Sequence, residues 1–131
     1  MTQAAPHLGS CPPAQARLRI RIVFGDDAML GPGKADLLAA IRDTGSIAAA
    51  GRSMGMSYKR AWLLVEAMNA AFRTPLVDTA RGGPKGGGAG LTQAGHDVLT
   101  HYRSLETILA DAGAGRIGAL QAMLADRSGG K

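Results

Sequence analysis

The sequence has few aromatic residues, with two Phe, two Tyr and one Trp among its 131 residues. Proteins that bind single-stranded nucleic acid stack bases on several aromatic rings, so this shortage disfavours that class. A single cysteine, Cys11, excludes an intramolecular disulfide. Residues 1–14 lack the apolar stretch of a signal peptide, and no hydrophobic run is long enough to span a bilayer. We therefore expect a cytoplasmic protein with a mainly aliphatic core, and its length predicts one domain.

Motifs for catalysis and for cofactor binding are missing as well. Lys85 lies in a glycine-rich stretch, but Gly86 follows it instead of Ser or Thr, which disfavours a Walker A site. His96 and His101 are five residues apart, off a common helical face, and this spacing disfavours a metal site. No nucleophile lies at a suggestive spacing from a base. The sequence predicts a protein that is not an enzyme and that uses neither a cofactor nor a metal.

Positive charge is in excess and is concentrated in one region. The formal net charge is +5 and the sequence pI is about 10.0. Between Arg52 and Lys85 there are six basic and two acidic residues, a local net charge of +4. Most of the excess therefore lies in this segment, and such a distribution favours a polyanionic partner.

Residues 46–69 have the pattern of two short helices joined by a tight turn. Ser46 and Ser57 are each placed to accept from the open N–H groups of a first helical turn. Gly55, between two methionines, suits a turn with buried flanks. The second helix begins with three basic or aromatic residues, Tyr58, Lys59 and Arg60. This is the end that a recognition helix inserts into the DNA major groove.

The other side of the second helix is apolar at helical spacing. Its apolar residues are Ala61, Trp62, Leu64, Val65 and Met68. They predict that this face packs against the core, and we interpret Trp62 as a core residue that does not contact bases. The role of Tyr58 stays open among a phosphate contact, a base contact and a plain surface position.

The segments before this helix pair predict a strand and a helix. Residues 17–24 alternate between three arginines and the apolar set Leu18, Ile20, Ile22 and Phe24, which predicts a half-buried strand. We interpret the arginines as its solvated face. Gly25-Asp26-Asp27 predicts a turn. A helix is then expected from Gly31-Pro32-Gly33 to Gly45, with Leu37, Leu38 and Ile41 buried.

The segments after the helix pair predict a wing and a long helix. Thr74-Pro75 should end the second helix near Arg73. A short strand at 76–79, a glycine-rich basic loop and Leu91-Thr92 follow in the order of a wing. Thr92 can cap a helix to about Ala110, and 117–124 is a weaker helical segment. The predicted organisation is a disordered leader at 1–15, a DNA-binding domain at 16–112 and a helical segment with a loose tail at 113–131.

Several short motifs resemble the N-terminal domain of the ModE family of molybdate-responsive transcription regulators. They are Gly45-Ser46-Ile47, Ser57-Tyr58-Lys59, Ala61-Trp62, Glu66, Met68-Asn69, Gly82-Gly83, Lys85-Gly86-Gly87-Gly88, Leu91-Thr92 and Gly95. The likeness covers about Leu18 to Leu109. It implies a winged helix akin to that of LysR-type regulators, in which the first helix and the helix after the wing help to form a homodimer. It also implies that the recognition helix and the wing contact a palindromic operator.

Family members that sense an oxyanion carry one or two molybdate-binding domains after the winged helix. This sequence ends about twenty residues after the predicted long helix. We therefore expect a single-domain form that does not itself bind molybdate tightly. A separate effector-sensing protein is a candidate partner, and no membrane partner is expected.

Together these patterns predict an α+β, mostly α-helical, winged helix-turn-helix protein with a long C-terminal dimerisation helix. The predicted function is sequence-specific binding of double-stranded DNA by a homodimer that regulates transcription. The residues predicted to contact DNA are Ser46, Ser57, Tyr58, Lys59, Arg60, Arg81 and Lys85. Two other functions stay open: a protein-interaction module of the same fold, and an oxyanion sensor whose glycine-rich loop holds the anion with backbone N–H groups.

Overall fold

The computed structural model describes residues 16–80 and 88–125, which contain five helices and four short strands. The strands are β1 (Ile22–Phe24), β2 (Ala28–Leu30), β3 (Val77–Ala80) and β4 (Gly88–Leu91). The helices are α1 (Pro32–Thr44), α2 (Ile47–Ser53), α3 (Tyr58–Ala71), α4 (Gln93–Ala112) and α5 (Ala114–Ala122). Residues 19–108 form one compact unit, and the remaining described residues belong to a second unit.

Strands β1 and β2 form an antiparallel hairpin in which Ile22 pairs with Leu30 and Phe24 with Ala28. The turn between them is the predicted one, and Gly25 adopts a positive φ of 66° there. The predicted strand at 17–24 was too long, since residues 17–21 are not part of a strand. A longer strand would need a longer partner. Helix α1 begins at Pro32, two residues after the end of β2, so no further extended residues are available to pair with residues 17–21.

The outer positions of the predicted strand are also more exposed than expected. Leu18 and Phe24 were predicted to lie on a buried face, yet both are exposed. Ile20 and Ile22 are the partly buried members of that set, and they pack against the core. Alternation along the chain identified the correct face, but only its middle is covered by other elements.

Helix α1 begins and ends as the sequence predicts. Pro32 occupies its first turn, where a missing N–H costs little. Gly45 ends it in the left-handed conformation, with φ of 74°, and its N–H donates to the Ile41 carbonyl. The predicted buried residues Leu37, Leu38 and Ile41 have no exposed surface. Because α1 contacts α2, α3 and β4, it lies at the centre of the unit formed by residues 19–108.

Strands β3 and β4 form the hairpin expected of a wing. Val77 pairs with Leu91 and Ala80 with Gly88, in antiparallel register. The Ala89 N–H donates to the Gly45 carbonyl at 2.9 Å, which fixes β4 beside the end of α1. The loop between the strands, with Arg81 and Lys85, lies outside the described residues. The order of a helix pair, a β-hairpin and a long helix is that of a winged helix-turn-helix, as predicted.

Helix α4 completes the core of this unit. Its Leu99 and Tyr102 are buried, and they join Leu76 of the segment before β3 and the buried faces of α1 and α3. The Tyr102 hydroxyl donates to the Ile20 carbonyl, which holds the N-terminal segment in place. Burial raises the pKa of Tyr102, so the hydroxyl remains a neutral donor.

Several helix boundaries differ slightly from the predicted ones. Helix α3 ends at Ala71, two residues before the predicted stop near Arg73, because Phe72 already has extended backbone angles. The predicted helical segment at 117–124 is α5, which begins three residues earlier because the break is confined to Gly113. No helix in the described part of the chain is both long and apolar enough to cross a membrane.

Candidate nucleic-acid interface

Helices α2 and α3 form a helix-turn-helix whose two starts are capped by serine, as predicted. The Ser46 hydroxyl accepts from the Ala49 N–H at 3.0 Å, and the Ser57 hydroxyl accepts from the Arg60 N–H at 3.1 Å. In the turn, Gly55 has a φ of 72°, a conformation that suits glycine. Both predicted serines therefore have a structural role at the start of a helix.

The two helices approach closely at one point. A Cβ atom on Gly51 of α2 would lie 3.0 Å from the Cβ of Ala61 of α3, which is tighter than ordinary van der Waals contact. The Met56 N–H in the turn also donates to the Gly51 carbonyl at 2.9 Å. Small residues at this crossing let α3 lie directly against α2, which fixes the angle at which α3 leaves the turn.

The apolar side of α3 anchors it in the core, as the sequence predicts. Ala61, Val65 and Met68 are buried, while Trp62 and Leu64 are partly buried and pack against the same cluster. The helix therefore has a fixed position. A helix that contacts bases requires this, because base contacts depend on accurate placement.

The start of α3 is exposed and carries the predicted basic and aromatic residues. Tyr58 is 57% exposed, and Lys59 and Arg60 are also exposed. The Tyr58 ring stacks on that of Trp62, with 6.4 Å between ring centroids and 25° between planes. This contact joins the exposed Tyr58 to a ring that packs on the core, so the position of Tyr58 is restrained.

The exposed basic residues around α3 are not neutralised by described carboxylates. The ion pairs within residues 16–80 and 88–125 join Arg42 to Asp43, and Arg103 to Asp36 and Glu106. None of them includes the basic residues of the helix pair or the segment after it, namely Arg52, Lys59, Arg60 and Arg73. Hydrogen bonding to Asp36 raises the pKa of Arg103, so that cation serves to join α1 and α4. The cations beside the helix-turn-helix remain available to an anionic partner.

Asn69 joins the recognition helix to the wing, a role that the sequence analysis missed. Its Oδ1 accepts from the N–H groups of Leu76 and Val77 at 2.8 and 3.1 Å, and its Nδ2 donates to the Val77 carbonyl at 3.1 Å. The side chain is thus the hydrogen-bond partner of three main-chain groups at the start of β3. A signal was present, since Asn69 is a poor helix former that lies beside the apolar residues on the inner side of α3.

The same short segment is also held by α4. The Thr92 hydroxyl donates to the Pro75 carbonyl at 2.7 Å, and the Thr92 N–H donates to the Leu76 carbonyl at 2.9 Å. The Thr92 hydroxyl also accepts from the Gly95 N–H, which caps α4 as predicted. Gly95 lies so close to the Leu76 carbonyl that a Cβ atom there would collide with it. Recognition helix, wing and α4 therefore meet at residues 75–77.

The structure describes five of the seven residues predicted to contact DNA. Ser46, Ser57, Tyr58, Lys59 and Arg60 lie at the starts of α2 and α3. Arg81 and Lys85 lie outside the described residues, between two strands that are in the expected place. The assignment of all seven to DNA contact remains a prediction.

Comparisons with known proteins agree with this architecture. Residues 34–96 match the family model of the bacterial regulatory helix-turn-helix protein, lysR family. The molybdenum-pterin-binding protein MopB of Rhodobacter capsulatus is 48% identical over 83 residues, which cover 63% of this chain and 31% of MopB. The dual regulator ModE of Escherichia coli K12 is 34% identical over 94 residues, which cover 72% of this chain and 36% of that protein. The chain thus spans about a third of the length of these relatives.

Solved structures with the same fold include a DNA-binding domain of the regulator CbnR in complex with DNA. The match has a TM-score of 0.54 at 22% identity and covers 67% of this chain and 95% of that domain. Full-length CbnR with its target DNA gives a TM-score of 0.51 at 24% identity, over 66% of this chain and 28% of CbnR. These likenesses establish the winged-helix fold. Residues 34–96 of the chain thus match a helix-turn-helix domain of LysR type, and ModE regulators and Mop proteins are among the homologues of the chain.

Proposed function

We propose that the chain binds double-stranded DNA with sequence preference and acts as a transcription regulator. The observation that carries this proposal is the start of α3, where exposed Lys59 and Arg60 lie on a capped helix anchored in the core. No ion pair with a described carboxylate neutralises them. In this proposal the start of α3 enters the major groove, and Ser57, Tyr58, Lys59 and Arg60 contact bases or adjacent phosphates. Ser46, at the start of α2, would contact the backbone.

The wing is proposed to add affinity that does not depend on sequence. In the sequence Arg81 directly follows β3 and Lys85 comes three residues before β4, and β3 is attached to the recognition helix through Asn69. The cations of Arg81 and Lys85 would contact phosphates or the neighbouring minor groove, and each phosphate contact adds to affinity on every sequence.

A homodimer is proposed to bind two half-sites through a pair of recognition helices. Support comes from α4, where Leu105 is 37% exposed and Ile108 is 58% exposed, on the helix whose other side is buried. Two copies that pair through this face would cover it and place two copies of α3 about one DNA turn apart. The domain limits 16–112 and 113–131 are likewise proposals.

A connection with molybdenum is supported by the names of the relatives alone. They include molybdenum-pterin-binding proteins and molybdenum transport proteins. We propose that the genes controlled by this chain include genes for the uptake or use of molybdenum, and that an effector-sensing protein is a partner. Repeating the binding experiment below with and without molybdate tests whether the chain itself responds to the oxyanion.

Selection of bound fragments from a random DNA library, followed by quantitative binding, tests the function. The double variant Lys59→Ala, Arg60→Ala should lose about 1–3 kcal/mol of binding free energy for each residue that reads a base. The double variant Arg17→Ala, Arg19→Ala removes the same charge from another exposed segment and should retain the preference for the selected site. Failure to enrich any sequence, or equal affinity of the Lys59, Arg60 variant at the same salt concentration, would contradict the proposal and favour a protein-interaction module.

A further inference from the structure

Helix α3 exposes one large aliphatic side chain, Leu63, which is 53% exposed. Leu63 follows Lys59 by four residues and precedes Glu66 by three, so the three side chains share one face of the helix. At 3.6 residues per turn this face is opposite to the one that buries Ala61 and Val65. Leu63 therefore lies on the outer face of the recognition helix, one turn beyond its basic start.

Packing within the chain does not account for Leu63. Trp62 and Leu64, its neighbours in sequence, pack against the core cluster, whereas Leu63 does not. The outer face continues with Ala67 and Ala70, which are both exposed. On this outer face Leu63 lies between the charged residues Lys59 and Glu66, with the two small residues beyond them, so Leu63 is placed where another molecule can make an apolar contact with it.

The two cations at the start of the same helix favour DNA as that molecule, whereas the one anion of the helix, Glu66, lies on the outer face one turn beyond Leu63. Lys59 and Arg60 precede Leu63 by one turn and are free of ion pairs with described carboxylates. The small side chains of Ala67 and Ala70 leave room for the helix to lie deep in a groove. A protein partner would call for a cluster of large apolar residues, but Leu63 is the one large aliphatic residue that α3 exposes.

In the major groove the one apolar group on a base edge is the C5-methyl group of thymine. We propose, on the basis of the DNA-binding function proposed above, that Leu63 contacts a thymine methyl group and selects a T·A pair at one position of each half-site. Lys59 and Arg60 then orient the helix on the duplex, and Leu63 contributes sequence preference through apolar contact. This adds Leu63 to the residues that determine specificity.

Replacement of thymine by deoxyuridine, which removes only the methyl group, tests this inference. In the selected site each thymine is replaced in turn, and the dissociation constant is measured for the parent chain and for Leu63→Ala. At one position the parent should lose about fourfold in affinity, the effect of burying one methyl group. Leu63→Ala should bind the thymine site more weakly and lose less than twofold further with deoxyuridine, since the contact is already absent.

Two further variants separate this contact from general effects. Leu63→Gln keeps a good helix former of similar length and should also lose the dependence on the methyl group. Val23→Ala shortens a side chain that is 64% exposed on β1 and should keep the full dependence. Circular dichroism establishes that each variant has the helix content of the parent.

The outcomes distinguish this inference from the function on which it rests. If the parent enriches no DNA sequence, both are overturned. If the parent binds a selected site but no thymine methyl group matters, or if the effect persists in Leu63→Ala, only the role of Leu63 is overturned. If the effect persists in Leu63→Ala, a protein that binds the parent but not Leu63→Ala would identify the molecule that covers the outer face.

Discussion

Replacing Asn69 by alanine should destabilise the domain far more than its partly exposed position suggests. The side chain accepts from two main-chain N–H groups, those of Leu76 and Val77, and donates to the Val77 carbonyl. Alanine has no polar side-chain atom, so all three main-chain groups lose their hydrogen bond to residue 69. The substitution therefore acts on the attachment of the wing to α3, although it alters no apolar contact of the core.

The size of the effect follows from the burial of the groups left behind. Leu76 is fully buried and Val77 nearly so, and a buried polar group without a partner costs about 1–3 kcal/mol. Asn69 lines a groove between α3 and β3, and water entering this groove would reduce the cost of the three unpaired groups. Alanine also has a higher helix propensity than asparagine, by about 0.5 kcal/mol. We expect a net loss of about 3 kcal/mol in the free energy of unfolding. For a domain of this size that lowers Tm by roughly 12 °C or more.

Urea unfolding followed by circular dichroism measures this loss, with two variants for comparison. Asn69→Asp keeps an acceptor for both N–H groups and should lose less than the alanine variant. Gln93→Ala removes an exposed hydrogen bond from the Gln93 amide to Asp97, and should change stability by less than about 0.5 kcal/mol. If Asn69→Ala is no less stable than Gln93→Ala, the argument from unsatisfied main-chain groups is wrong.

Three further predictions concern α4, the wing and the dimer. Gly95→Ala should cost about 1–3 kcal/mol in urea unfolding because its Cβ would collide with the Leu76 carbonyl, whereas Gly33→Ala, with open space around it, should not destabilise. The double variant Arg81→Ala, Lys85→Ala should reduce the slope of log K against log salt by about two, and an unchanged slope would contradict phosphate contact. The parent should sediment as a dimer at tens of micromolar, roughly the range of a weak association, and Ile108→Glu as a monomer; a monomeric parent would refute the dimer.

The helix-turn-helix was predictable because its determinants are local. Ser46 and Ser57 each bond to an N–H three residues away, and Gly45 and Gly55 supply the left-handed angles that end α1 and form the turn. Spacing of three and four residues identifies the buried side of α3 without knowledge of what it meets. Such features are contained within one helical turn, so a single sequence carries them in full.

The errors came from features that depend on distant parts of the chain. Residues 17–21 alternate like a strand, yet a strand needs a partner, and the start of α1 at Pro32 limits the length of that partner. Asn69 was missed as a structural residue for the same reason. Its partners at residues 76 and 77 lie seven and eight positions away, beyond the end of its own helix, and they become neighbours only once β3 turns back alongside α3.

The segment at residues 75–77 connects the two surfaces on which the proposed function depends. Asn69 fixes it to α3, whose first turn is proposed to contact bases. Thr92 fixes it to α4, which carries the exposed apolar face. Because these contacts go to main-chain atoms, the relation between the two helices depends little on the side chains of the segment. If two copies pair through α4, the distance between their recognition helices is set by this same segment. Loosening it should therefore broaden the half-site spacings that the dimer accepts, even where each half-site is still read correctly.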